Sequence, residues 1–129
     1  MLYVSVEAIA RRRPEIVWDV LTDIPASTSW VEGLIEAATD DEQPPKAGSL
    51  LTLKRRAGKK QAVVKARAEI TVFKPPSLLV IETRAPDLLL LDRMALEPVA
   101  EGTLLKVSSE MLFGNKLVNL LTRRSGLFL

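Results

Sequence analysis

Residues 62–72, AVVKARAEITV, contain the clearest alternation of apolar and polar side chains in the sequence. One side of the extended chain carries the apolar positions Ala62, Val64, Ala66, Ala68, Ile70 and Val72. Because successive side chains of a strand point to opposite faces, the stretch predicts a β-strand with one apolar face. Such a strand is typical of an antiparallel sheet that is covered on one side.

Shorter stretches of the same kind account for most of the remaining sequence. We expect further strands at 2–9, 34–40, 51–54, 79–84, 88–97 and 105–111. The turns between consecutive strands are short, and short turns join neighbouring strands in an antiparallel meander. The sheet therefore has six to seven strands, with one apolar face that another element must cover.

Helical spacing occurs in two places. Pro14 followed by Glu15 marks a helix start, and Pro25 ends that helix before a second short helix or turn. The face expected to be buried in the first helix carries Val17, Val20, Leu21 and Ile24. The amphipathic closing helix is predicted from Leu117, Val118, Leu120 and Leu121. The predicted fold is α+β: a curved antiparallel sheet wrapped around a C-terminal helix, with two short helices after strand 1.

Composition excludes several classes of chemistry. The chain has 129 residues, a length that favours one domain over 1–129, and its net charge is only +2. It contains no cysteine and no histidine, which excludes disulfides, thiolate catalysis, serine–histidine mechanisms and most transition-metal sites. We therefore expect no cofactor and no metal. No apolar run approaches the ~20 residues of a membrane span, so a cytoplasmic protein is the default expectation.

A sheet curved around one helix leaves space where its inner side chains are small. Ala62, Ala66 and Ala68 are small in this sense, and an alanine- and leucine-lined face suits an apolar ligand. The alternative is that these alanines only permit close packing of the helix on the sheet.

Several short motifs, in this order, resemble a known family. They are Pro14-Glu15-Ile16-Val17-Trp18, then Asp23 and Trp30, Gly48, Pro75-Pro76, and Leu96-Glu97-Pro98 leading to Gly102-Thr103. The chain resembles the START/Bet v 1-like superfamily (SRPBCC), in its polyketide cyclase/dehydrase and lipid-transport branch. The resemblance implies a helix-grip fold with a hydrophobic cavity between the sheet and the C-terminal helix. Its members differ widely in function, from lipid carriage to polyketide cyclisation, so the resemblance does not decide the function.

The leading hypothesis is a protein that binds, and in one version transports, a hydrophobic or amphipathic small molecule such as a lipid or polyketide. The residues expected to line its cavity are Leu51, Leu53, Val64, Ala66, Ala68, Ile70, Ile81, Asp92, Met94, Leu96, Val107, Met111, Leu117 and Leu121. The last helix is short compared with that of the family, which favours a shallower or more open cavity. The absence of histidine argues against an enzyme.

Asp92 is the candidate polar residue in this cavity. Alternation places it on the same face as Leu90 and Met94, where a carboxylate needs a partner, water or a ligand. It serves either as a polar handle for a ligand or as the base of a cyclase/dehydratase-like enzyme, which is the alternative function. The third reading is a solvated carboxylate at the cavity mouth.

Two other features have a structural and a functional reading. Trp18 and Trp30 are expected to anchor the helices to the sheet rather than to stack on a ligand. A basic hairpin is formed by Lys54, Arg55, Arg56, Lys59 and Lys60. It favours an anionic membrane surface, or it is simply a solvated loop. A further alternative function is therefore an interaction module that acts through this basic hairpin. It lacks aromatic residues, which argues against sequence-specific nucleic acid binding. Monomer and dimer both remain open.

Overall fold

The computed structural model describes residues 2–57, 60–86 and 88–113. The predicted closing helix, with Leu117 and Leu121, lies outside these residues, as does Lys59. In chain order the elements are β1 (Leu2–Ala10), α1 (Pro14–Thr22), a 3₁₀ helix (Pro25–Ser29), β2 (Leu34–Thr39), β3 (Leu50–Ala57), β4 (Ala62–Lys74), β5 (Leu78–Ala85), β6 (Leu88–Val99) and β7 (Gly102–Phe113).

All the strands form one antiparallel sheet of seven strands in the order β1-β7-β6-β5-β4-β3-β2. From β2 to β7 the order follows the sequence, which confirms the predicted meander. β1 then adds to β7, so both helical segments lie in the connection between the two edge strands of the sheet.

The core lies between the inner face of the sheet and the two helical segments. Trp18, Leu21 and Ile24 from the helical region are buried against it. On the sheet side, Ile70 and Leu79 are fully buried. The helical segments therefore cover part of the apolar face that the strand pattern predicted.

The helix α1 begins at Pro14, as predicted, and the expected face is buried except at Val20. Leu21 and Ile24 are buried and Val17 packs against the core, whereas Val20 is 55% exposed. Trp18 is also buried on this face. The indole of Trp18 packs edge-on against Phe73, with ring centroids 5.1 Å apart. Because this bulky contact sets the rotation of a helix of nine residues, Val20 turns to solvent.

A β-bulge in β4 corrects one of the predicted faces. The register with β5 shifts between Ile70 and Val72, so that Ile70 pairs with Ile81 and Phe73 pairs with Leu79. An extra residue reverses the alternation beyond it. Phe73, rather than Val72, therefore reaches the core, and the prediction that Val72 shares the face of Ala62–Ile70 is wrong.

Gly102 and Thr103 hold the corner between β1 and α1. Gly102 has a φ of +140°, and a Cβ there would come within 2.3 Å of the Ala10 carbonyl oxygen. The hydroxyl of Thr103, which is fully buried, donates a hydrogen bond of 2.7 Å to the Arg12 carbonyl. This close approach requires a glycine, because any side chain would collide with the backbone of the corner.

The edge strand β1 exposes apolar side chains on both faces. Leu2, Val4 and Val6 are each more than half exposed, as is Tyr3 on the opposite face. By register Val4 and Val6 lie beside Ser109 and Val107, on the inner face of the sheet. The inner apolar row of β1 is therefore not covered by α1 or the 3₁₀ helix.

Candidate functional site

A cavity of about 430 Å³ lies on the inner face of the sheet, beside the 3₁₀ helix and the loop that follows it. Its apolar lining consists, among the described residues, of Leu21, Ile24, Trp30, Val31, Leu34, Leu51, Leu53, Ile81, Leu90, Met94, Val107 and Met111. Its polar lining consists of Ser27, Glu32, Arg55, Thr83, Asp92 and Ser109. Mostly apolar walls with a few polar groups, in a volume of roughly 300–1,000 Å³, are typical of small-molecule sites.

The cavity brings together about half of the residues predicted for it. The predicted residues that line it are Leu51, Leu53, Ile81, Asp92, Met94, Val107 and Met111. Those in the described chain that do not line it are Val64, Ala66, Ala68, Ile70 and Leu96. Leu117 and Leu121 lie outside the described residues.

The alanines of β4 serve packing rather than the cavity. Ala66 pairs with Leu53 and Ala68 with Leu51 across the β3–β4 ladder, and both alanines are buried in the core. Directly opposite residues on one face of a sheet have neighbouring side chains. The leucines therefore take up the space that the small residues leave, and it is the leucines that reach the cavity.

Asp92 lies in the cavity wall, on the face that alternation predicted. It stands between Ile81 of β5 and Ser109 of β7 in the sheet register, and the Ser109 hydroxyl donates a hydrogen bond of 2.5 Å to its Oδ1. Burial raises the pKa of the Asp92 carboxyl above its ordinary value. The Ser109 hydrogen bond and the positive charge of Arg55 oppose this rise without cancelling it.

Arg55 is one of several lining residues that were not predicted for the cavity. The sequence predicts it in an exposed basic hairpin, but its side chain is half-buried and lines the cavity. Arg55 continues the inner row of Leu51 and Leu53, and it pairs with Leu34 on one side and Val64 on the other. The signal was therefore in the sequence, because Arg55 follows Leu53 by two residues.

Thr83 adds a hydroxyl to the same wall. It pairs with Leu90 in the register, one inner position from the pairing of Ile81 with Asp92, and only 2% of its surface is exposed. A hydroxyl in the cavity wall can donate to a ligand or accept from it.

The two tryptophans have different roles. Trp18 is buried at 6% exposure, which confirms the packing prediction. Trp30 is 45% exposed and lines the cavity beside Val31 and Glu32, so the prediction that it anchors the 3₁₀ helix to the sheet is wrong. The loop that carries it is held to β3 by a hydrogen bond of 2.8 Å from the Arg56 amide to the Gly33 carbonyl.

Comparison with known proteins identifies the family. The sequence matches the family described as "Polyketide cyclase / dehydrase and lipid transport" over residues 1–125. The chain belongs to this family. No curated protein matches the sequence.

Solved structures similar to this family member have low sequence identity to it. A protein from Deinococcus radiodurans is 17% identical, with a TM-score of 0.71 over 85% of this chain and 83% of that chain. A protein from Rhodobacter sphaeroides is 16% identical, with a TM-score of 0.66 over 95% and 80%. Ara h 8.0201 is 10% identical, with a TM-score of 0.66 over 98% and 92%. These similarities confirm the predicted fold class, a curved antiparallel sheet of the Bet v 1-like helix-grip type.

The basic side chains in the hairpin of this polyketide cyclase/dehydrase family member differ in their direction and in their partners. Lys54 forms an ion pair of 3.2 Å with Glu36 of β2, and Arg55 turns inward. Arg56 donates a hydrogen bond of 3.4 Å to the Gln61 carbonyl and is exposed. Lys60 is also exposed. The outward-facing charge at this end of the sheet is therefore carried chiefly by Arg56 and Lys60.

The described residues contain neither a metal-binding cluster nor a membrane-spanning helix. Over the described parts of the chain, no group of three or more acidic, histidine or cysteine side chains is placed to hold a metal ion. In the same residues no helix is long and apolar enough to cross a membrane.

Proposed function

We propose that this protein binds an amphipathic small molecule in the cavity beside the 3₁₀ helix. The observation that supports the proposal is the composition of the cavity wall, which is mostly apolar and includes the polar side chains of Arg55, Thr83 and Asp92. The apolar body of the ligand would lie against residues such as Leu53, Met94 and Val107, where removal of apolar surface from water drives binding. Family membership is consistent with this proposal but does not specify the ligand.

Uptake of a neutral, environment-sensitive apolar dye tests the proposal. Val107→Trp places a large ring in the cavity, and we expect it to reduce dye uptake about tenfold or more, because the volume for the ligand is lost. Ser108→Trp is the matched control, since Ser108 is the next residue of β7 and its side chain points to the other face of the sheet.

The two variants separate a filled cavity from a damaged strand. Equal uptake by the wild-type protein and Val107→Trp, with both folded, would contradict ligand binding in this cavity. Native mass spectrometry of gently purified wild-type protein gives a second measurement, because a co-purifying ligand adds its mass to that of the chain.

A cyclase/dehydratase-like enzyme is the second candidate function. The observation that favours it is Asp92, a cavity carboxyl whose pKa is raised by burial and which already contacts a hydroxyl group. Carboxyls with raised pKa values are suited to accept and return protons near neutral pH. Asp92→Asn would then abolish turnover without loss of ligand affinity, whereas a carrier has no turnover to lose.

We also propose that the basic hairpin brings the protein to anionic membrane surfaces. Arg56 and Lys60 are exposed at the end of the sheet where the β3–β4 turn lies. Each basic side chain near an anionic bilayer contributes about 1 kcal/mol of attraction. The inward position of Arg55 and the ion pair of Lys54 with Glu36 restrict this role to fewer residues than the sequence suggested.

A further inference from the structure

Arg55 carries a charge in the cavity wall that no side chain in direct contact balances. Within the described residues, its guanidinium takes part in no hydrogen bond and no ion pair. The other basic residues of β3 and its turn differ in this respect: Lys54 is bound to Glu36, and Arg56 donates to Gln61. A guanidinium has five N–H donors, and a half-buried one is costly to leave without acceptors.

Asp92 does not satisfy Arg55. Asp92 interacts with it electrostatically across the cavity, but the two groups are not within ion-pair distance. Asp92 instead accepts a hydrogen bond from the Ser109 hydroxyl. The acidic member of the wall thus has a bonded partner, and the basic member has unused donors.

The surroundings of Arg55 favour an anion at this end of the cavity. Arg56, Lys60 and Lys65 are exposed around the β3–β4 turn, and Lys65 pairs with Lys54 in the register. By register Lys65 and Arg56 lie on the outer face of the sheet, so they act on an anion only through the positive potential at this end of the molecule. The acidic groups on the cavity lining are Glu32, which is exposed, and Asp92 on the far strands.

We propose that the ligand is an amphipathic acid whose single carboxylate binds Arg55, with its aliphatic or aromatic body against the apolar wall. Arg–carboxylate pairs form two parallel hydrogen bonds and are stronger than neutral hydrogen bonds. The hydroxyl of Thr83 supplies one more donor on the same wall. The inference rests on the proposed function, because it names the chemical class of the ligand for the same cavity.

Three ligands with the same chain and different head groups test the inference: decanoate, decanol and decylamine, each measured at pH 7 by displacement of a neutral dye. For the wild-type protein we expect decanoate to bind about tenfold or more tightly than either of the others, as a charge-assisted pair predicts. Arg55→Gln should remove this preference while decanol affinity stays unchanged. Arg93→Gln is the control, because Arg93 is exposed and lies on the outer face, one residue from Asp92.

Asp92→Asn provides an independent variant. Removing the negative charge across the cavity should strengthen decanoate binding several-fold and leave decanol unaffected. If decanol binds as tightly as decanoate, or decylamine binds more tightly, the acid-binding role of Arg55 is overturned although the cavity still binds ligands. If none of the three compounds displaces the dye, and the dye itself is not taken up, the proposed function fails together with the inference.

Discussion

At the scale of single residues, the alternation of side chains predicted that Asp92 lines the cavity but did not lead to the same prediction for Arg55. Asp92 was predicted in the wall because Leu90 and Met94 flank it two residues away on each side. Arg55 has the same relation to Leu53, but it stands in a run of basic residues that favours a surface loop. The position of Trp30 could not be predicted, because it depends on the path of a loop rather than on a periodic pattern.

The raised pKa of Asp92 predicts how stability depends on pH. A carboxyl with a higher pKa in the folded state binds its proton more tightly there than in the unfolded chain. The free energy of unfolding therefore falls as the pH rises from the pKa of the unfolded chain, 3.8, through the higher pKa of the folded protein. Asp92→Asn removes this effect. We expect the variant to melt at a higher temperature than the wild type at pH 7, with the difference shrinking as pH falls towards 4.

Thermal unfolding followed by circular dichroism over this pH range measures the effect. Asp19→Asn removes a carboxylate from the exposed side of α1 and controls for the change in net charge. A difference between wild type and Asp92→Asn that stays constant with pH would show that Asp92 is not desolvated in the folded protein.

At the scale of elements, the sequence predicted the strands and the start of α1 but not the position of the β-bulge in β4. Alternation continues through residue 72, and nothing in the pattern marks the bulge between Ile70 and Val72. The bulge turns Phe73 to the inner face, where it contacts Trp18, a residue of an element distant in sequence. Long-range packing of this kind decides the local register, so periodicity alone cannot predict it.

The corner at Gly102 gives a prediction that combines local conformation with tertiary contact. Gly102→Ala places a methyl group 2.3 Å from the Ala10 carbonyl oxygen, in addition to the strain of a positive φ. We expect it to lower the free energy of unfolding by more than about 2 kcal/mol, measured by urea denaturation. Gly48→Ala is the matched control, because Gly48 also has a positive φ, +90°, but has nothing within 4 Å of its added Cβ.

The two glycine variants separate backbone strain from collision. Strain alone costs about 1–2 kcal/mol for a residue forced into a left-handed conformation, which is the loss expected of Gly48→Ala. Equal losses in the two variants would mean that the β1–α1 corner moves aside without cost, and that Gly102 does not hold it.

At the scale of the whole molecule, charge is distributed unevenly although the net charge is only +2. Some surface charges are paired along the outer face of the sheet, as in the ion pairs Lys54–Glu36, Arg84–Glu82 and Lys106–Glu97. In the described residues, Arg56 and Lys60 at the β3–β4 end are exposed without an ion pair, as are Arg11–Arg13 between β1 and α1. The membrane proposal assigns the contact to the β3–β4 end and not to the overall charge.

Binding to vesicles containing anionic lipid tests this dependence with two variants of equal net charge. Arg56→Glu with Lys60→Glu reverses the charge at the β3–β4 end, and we expect it to reduce vesicle binding about tenfold or more at 0.1 M salt, given about 1 kcal/mol for each basic residue. Lys46→Glu with Lys74→Glu makes the same change in net charge at the opposite end of β3 and β4, where both lysines are exposed. This control variant should bind as the wild type does, because charges more than about 10 Å from the surface are screened at 0.1 M salt. An equal loss of binding in both variants would show that the attraction depends on net charge. Absence of vesicle binding by the wild-type protein would contradict the membrane role.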